Sequence, residues 1–283
     1  MKRKASKTKR RHSRRKQSGG QLPNYHFYQK HHYGDNLINL KFFYNIARHL
    51  KEKGIKIHYY YNDEYIKDIN ELNQYVDPNT LVLHPMKEMP VNAIELWMGN
   101  PIDGVTHLDY LNYTNKFYKM ILDKVGLAHR GIDTSFFQKE PYLLDIYNKL
   151  DPKFKDLDIL IINSKPQSGQ FHDTAGKLDA LSIRLAKKYK VAITNPIADS
   201  NISCTFTAVP KLTMRDIGAV STHAKYIIAV FTGPIIPCFN SYTKESVKKW
   251  FIMNNHNCDF KGMSAVRIPI ADMIDSIESQ IVL

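Results

Sequence analysis

The sequence predicts an α/β protein built from two Rossmann-like domains that face a cleft. Three observations point there. Apolar runs of strand length alternate with segments of helical periodicity, and this strand-helix-strand order occurs twice. At 283 residues the chain has room for two domains of ordinary size. A hydrophobic content of 43% and a charged content of 24% are those of a folded soluble protein.

In chain order, Asn24 to Gln29 (NYHFYQ) reads as a strand that leads into the loop HHYGDN. Leu37, Leu40, Tyr44, Ala47 and Leu50 then recur at helical spacing, and Gly54 supplies the stop. Ile55 to Tyr61 (IKIHYYY) is a second strand, and Leu81 to Leu83 and Ala93 to Met98 are further short ones. Tyr110 to Val125 has the length and period of a helix. After the polar segment 148–158, Ile159 to Ile162 suits a buried strand, followed by a polar loop and a helix from about Lys177 to Tyr189. Val191 to Ile193 is a strand, Leu212 to Ser221 a short helix and Tyr226 to Val230 a strand, ending at Thr232-Gly233-Pro234 with another helix start or turn. The boundaries this predicts are a tail at 1–22, a first domain at 23–150 and a second at 151–283. A single larger α/β domain is the competing arrangement.

The net charge of +13 is concentrated. Residues 1–20 hold ten Lys or Arg and no acid, which leaves 30 basic and 27 acidic groups for the rest. The tail is predicted to be disordered, because its composition cannot support a packed core. It can serve as a solvated arm, a nuclear-type address, or a contact for nucleic acid or acidic membrane. No apolar segment approaches transmembrane length and no signal-type apolar stretch follows the basic start, so the chain is expected to be intracellular and cytoplasmic. Cys204, Cys238 and Cys258 are widely spaced and form no CxxC pair, and the twelve His residues show no metal-binding spacing, so neither a disulfide framework nor a metal site is expected.

Ligands of open α/β sheets bind beyond the carboxyl ends of the strands, and three polar loops fall at such places. The first is Tyr33-Gly34-Asp35-Asn36, where Gly34 permits a tight turn and Asp35 stands near a helix start, either as a cap or as a base. The second, Asn163 to Gln170, offers Ser164, Gln167 and Lys165, whose ammonium can reach a phosphate. It does not match the P-loop pattern, and no GxGxxG fingerprint occurs. The third is Phe231-Thr232-Gly233-Pro234, with a hydroxyl at Thr232, a backbone that can approach closely at Gly233, and Pro234 suited to a first helical turn.

Together, YGDNLINLKFFYNIARHL (33–50) and AKYIIAVFTGPIIPCFN (224–240), about 200 residues apart, resemble the GT-B nucleotide-sugar glycosyltransferases of the heptosyltransferase-like branch. The sequence departs from that branch at Phe231, where an acidic residue is frequent. Its Lys, Asn, Ile and Tyr bias also resembles proteins of large DNA viruses or other AT-rich genomes, and a viral origin would put it in the host cytoplasm. The resemblance implies a hexosyl- or heptosyl-type transferase that uses a nucleotide-diphosphate sugar, without a metal or other cofactor, and a glycan, glycoprotein or lipid acceptor. It implies Asp35 as general base, Gly34 and Asn36 on the acceptor side, and Thr232, Gly233 and Pro234 at the donor diphosphate with Lys165 offsetting charge. Ser164, Gln167, Thr194, Asn195, Arg215 and Asp216 are then expected near the donor, although Arg215 and Asp216 could equally pair at a helix start. The competing functions are a nucleic-acid-binding or packaging protein acting through its basic tail, and another α/β nucleotide-binding enzyme such as a sugar epimerase.

Overall fold

The computed structural model describes residues 23–66, 68–99, 110–127, 131–167, 169, 171–173, 176–198, 200–256 and 260–282. The basic tail 1–22 and Cys258 lie outside the described residues. The chain forms two parallel sheets with helices, as the α/β pattern predicts.

The first sheet is built from β1 (Asn24–Gln29), followed by α1 (Tyr33–Asn45) and α2 (Ala47–Glu52), then β2 (Lys56–Tyr61), α3 (Asn70–Asn73), β3 (Leu81–Pro85) and β4 (Ile94–Glu95). The strand order is β3-β2-β1-β4, all parallel. Two helices, α4 (Tyr110–Lys124) and α5 (Tyr142–Lys149), precede the second sheet. That sheet comprises β5 (Ile159–Ile162), β6 (Val191–Ile193) after α6 (Lys177–Ala186), β7 (Ser203–Cys204), and β8 (Tyr226–Val230) after α7 (Met214–Ser221). It is completed by α8 (Ser241–Ser246), β9 (Lys249–Met253) and β10 (Ala265–Ile268), in the order β10-β9-β8-β5-β6-β7.

The central strands follow from their sequences. β5 (ILII) and β8 (YIIAV) are buried at every position, as strands covered on both faces must be. On one face Ile159, Ile161, Ile228 and Phe251 meet Leu178, Leu181 and Leu185 of α6. On the other, Leu160, Ile227 and Trp250 belong to the same core as Phe27, Ile57 and Tyr59 of the first sheet. α1 lies in this shared core. Its run Leu37, Ile38, Leu40, Phe42, Phe43 is buried without a polar stripe, as expected of a helix enclosed on several sides. Phe42 stacks on Tyr118 of α4 at 3.9 Å between ring centres, and the Tyr118 hydroxyl donates to the Ile38 carbonyl.

Several boundaries differ from those predicted. The helix after β1 already begins at Tyr33, so Gly34, Asp35 and Asn36 occupy its first turn and not a loop. The flanking His32 makes no side-chain capping bond, and the sequence therefore carries no marker of the true start. The strand expected at Ala93 to Met98 contracts to Ile94–Glu95, because the Leu96 carbonyl is taken by Gln29 Nε2 at 2.7 Å and Asn39 Nδ2 at 2.8 Å. The helix from Lys177 closes at Ala186, three residues early.

A buried polar network joins the helices between the sheets. Lys41 of α1 extends its ammonium to Glu140 Oε1 at 2.7 Å and to the Phe239 carbonyl at 2.6 Å, both charged side chains being almost fully enclosed. Glu140 also accepts from Asn45 Nδ2 and the Tyr142 hydroxyl, each at 2.8 Å. The Tyr142 ring in turn lies 4.3 Å from the guanidinium of Arg215, on α7.

Candidate active site

The carboxyl ends of β1, β5 and β8 open into one cleft of about 410 Å³. From the first sheet's side it is lined by His32, Tyr33, Gly34 and Asp35 of the α1 start, and by Tyr65, Asp68 and Glu71 near α3. From the second side it receives Ser164, Lys165 and Gln167 after β5, Phe206 and Lys211, and Phe231 to Pro234 after β8.

The floor is made by two glycines. A Cβ built on Gly34 would stand 3.3 Å from the Gly233 Cα, and one built on Gly233 would stand 2.8 Å from Cδ1 of Tyr33. A side chain at either position would force its neighbour to shift, so the two glycines suit this close approach of the first turn of α1 to the 3-10 helix Gly233–Cys238. Gly233 lines the cleft and also packs closely against Tyr33 and Gly34. The two sequence motifs that flank the chain are thus in direct contact.

Asp35 faces this cleft from the third residue of α1. Burial pushes its carboxyl above the ordinary aspartate range, opposed by His31, His32 and nearby backbone amides. Across the cleft mouth, Glu71 accepts from the Tyr33 hydroxyl at 3.2 Å and pairs with Lys211 at 3.4 Å, so it ties the first sheet's side to the second. Burial, with Glu71 next, raises the Tyr33 phenol well above its ordinary value, which keeps it a neutral donor. Lys165 is exposed at the opposite wall. Anionic groups therefore sit on the α1 and α3 side and ammonium groups on the other.

Other expected residues are placed differently. Thr194 is fully buried, and its hydroxyl donates to Asn163 Oδ1 at 3.1 Å while accepting from the Asn163 amide. The Asn195 amide donates to Asn163 Oδ1 at 2.8 Å, and its side chain donates to Ser164 Oγ at 2.9 Å. These two residues hold the loop that carries Ser164 and Lys165; they do not line the cleft. Asn36 is buried and donates to the carbonyls of His31 and His32, which shapes the turn entering α1. Asp216 forms a capping box with Thr213, and Arg215 stacks on Tyr44 and Tyr142 while donating to the Gln74 carbonyl. Neither lines the cleft, and neither pairs with the other; both serve the helix start and the packing between sheets. Glu71, Lys211 and Phe206 were not singled out from the sequence, since nothing local distinguishes them. Among the described residues no group of three or more His, Cys, Asp or Glu side chains is placed to hold a metal, and no helix is long and apolar enough to cross a membrane.

No protein-family model and no curated protein matches the chain. Solved structures do. E. coli heptosyltransferase WaaC with ADP-2-deoxy-2-fluoro heptose is similar over 90% of this chain and 99% of that one, with a TM-score of 0.50 and 8% identity. WaaC with ADP is similar over 91% and 100%, at a TM-score of 0.50 and 6% identity. The glycosyl transferase family 9 structure from Veillonella parvula covers 90% of this chain and 91% of its own, at a TM-score of 0.46 and 9% identity. The likeness to WaaC defines the fold: a GT-B-like pair of α/β units about a cleft.

Proposed function

We propose that the chain is a glycosyltransferase that moves a sugar from a nucleotide-diphosphate donor to an acceptor hydroxyl. The observation that carries this reading is the cleft at the carboxyl ends of β1, β5 and β8, with a half-buried carboxylate on one wall and ammonium groups on the other. Residues 151–283 would hold the donor and residues 23–150 the acceptor, a glycan, glycoprotein or lipid that presents a hydroxyl to Asp35. The diphosphate fits against Lys165, Ser164 and Gln167 and the hydroxyl of Thr232, while Pro234 fixes the turn that presents Thr232.

In the transfer step the acceptor oxygen forms a bond to the anomeric carbon as the bond from that carbon to the phosphate oxygen breaks. The bonding pair leaves with the nucleoside diphosphate, whose growing charge faces Lys165 and Lys211. The acceptor proton passes to Asp35, whose raised pKa makes it a better base than an ordinary exposed aspartate. Fixed donors and ammonium groups stabilise the departing diphosphate electrostatically, and the reading needs no metal or cofactor.

Thermal melts with UDP, GDP and ADP test it. One of them should raise the midpoint, because a ligand at a hundredfold its Kd adds about 2.7 kcal/mol to the folded state. Lys165→Ala, at an exposed position, should shrink that shift without lowering the midpoint of the free protein. If none of the three nucleotides shifts the melt while DNA binds through residues 1–22, the transferase reading is replaced by the nucleic-acid one.

A further inference from the structure

We infer that Phe231 makes this cleft selective for a donor sugar with an apolar edge, a 6-deoxyhexose in preference to the corresponding hexose. The inference rests on the transferase reading and goes beyond it by assigning the donor class. Phe231 is the residue between the end of β8 and Thr232, so its position is coupled to the turn proposed to meet the diphosphate. The donor sugar is bonded to that diphosphate and must lie within one residue's reach of it. Phe231 lines the cleft and is partly exposed there.

The ring is held from behind. Phe260 meets it edge-on at 5.6 Å between ring centres, and Phe239 lies at 6.3 Å. Phe239 is itself stacked on Trp250 at 5.7 Å. An aromatic surface backed in this way presents apolar area to the cleft and offers no hydrogen-bonding atom. Ile236 and Met214 line the same cleft and extend the apolar surface. A sugar hydroxyl pressed against this wall would lose its water without gaining a partner, whereas a methyl group in the same position buries apolar area at no such cost. Hydrophobic pockets reject an added hydroxyl by a factor of about 10² at most. The other walls retain polar atoms at Gln167, Ser164 and Asp35 for the remaining sugar hydroxyls.

The experiment is calorimetric titration of the full chain with donor pairs that share a nucleotide and differ only at C6: GDP-L-fucose against GDP-L-galactose, GDP-D-rhamnose against GDP-D-mannose, and dTDP-6-deoxy-D-glucose against dTDP-D-glucose, beside the bare diphosphates. The deoxy member should bind about tenfold or more tightly in at least one pair. Phe231→Ser should bring that ratio close to one. Phe231→Tyr, which keeps the ring and its packing and adds a hydroxyl, should move it toward the hexose even if the serine variant folds poorly. A bare diphosphate that binds while every hexose matches or exceeds its deoxy partner overturns the inference and leaves the transferase reading standing, as does an unchanged ratio in Phe231→Tyr. Absence of binding by every diphosphate and every donor overturns both.

Discussion

Asp35→Asn should lower the turnover number for sugar transfer by about 10² to 10⁴, the usual contribution of a positioned general base, while the melt shift produced by the nucleoside diphosphate is retained. The carboxylate is on the wall opposite Lys165, so its loss removes the proton acceptor and leaves the donor contacts in place. The pH dependence follows from burial. Because the carboxyl is held above the ordinary aspartate range, the acid limb of the rate profile should lie higher than an exposed aspartate would put it. The same shift fixes the sign of the stability effect. A carboxyl whose folded pKa exceeds its unfolded value favours the folded state at low pH, and that contribution is lost as pH rises through the folded pKa. Asp35→Asn is therefore expected to be more thermostable than the parent near neutral pH, with the gain vanishing below the ordinary aspartate pKa. Unchanged turnover would reduce Asp35 to a helix-start residue.

Lys41→Met is expected to destabilise the fold by about 3–5 kcal/mol, measured by urea unfolding, because it leaves the enclosed carboxylate of Glu140 without its ammonium partner. Lys41 also holds the Phe239 carbonyl, next to the 3-10 helix that carries Gly233, so the loss should loosen the packing of α1 against that helix. The double change Lys41→Met with Glu140→Leu should recover most of the loss, since a well-packed apolar pair avoids burying either charge. If the single change costs as little as an exposed ion pair would, about 0–1 kcal/mol, the network is not the joint between the sheets.

The parts of the fold that were legible in the sequence are those with a local cause. β5 and β8 announce themselves as unbroken apolar runs because both their faces are covered. The α1 start was misplaced by four residues because no side chain caps it, and its glycine serves a contact with Gly233 almost 200 positions away. The contact between the two motifs follows from the topology of two sheets, and spacing alone could only put both at strand ends. Thr194, Asn195, Arg215 and Asp216 fell near the right strands, yet their side chains support loops and helix starts, because position along a chain does not determine which way a side chain turns. Glu71 and Lys211 lie 140 residues apart and carry no motif, so their meeting at the cleft mouth is visible only in three dimensions.

The most direct test of the account is a crystal structure of the full chain with the nucleoside diphosphate that gives the largest melt shift. The account predicts the diphosphate between Lys165 and Thr232, with Asp35 facing its terminal phosphate across the cleft and Gly34 still against Gly233. A diphosphate bound on another surface, with this cleft empty, would contradict it.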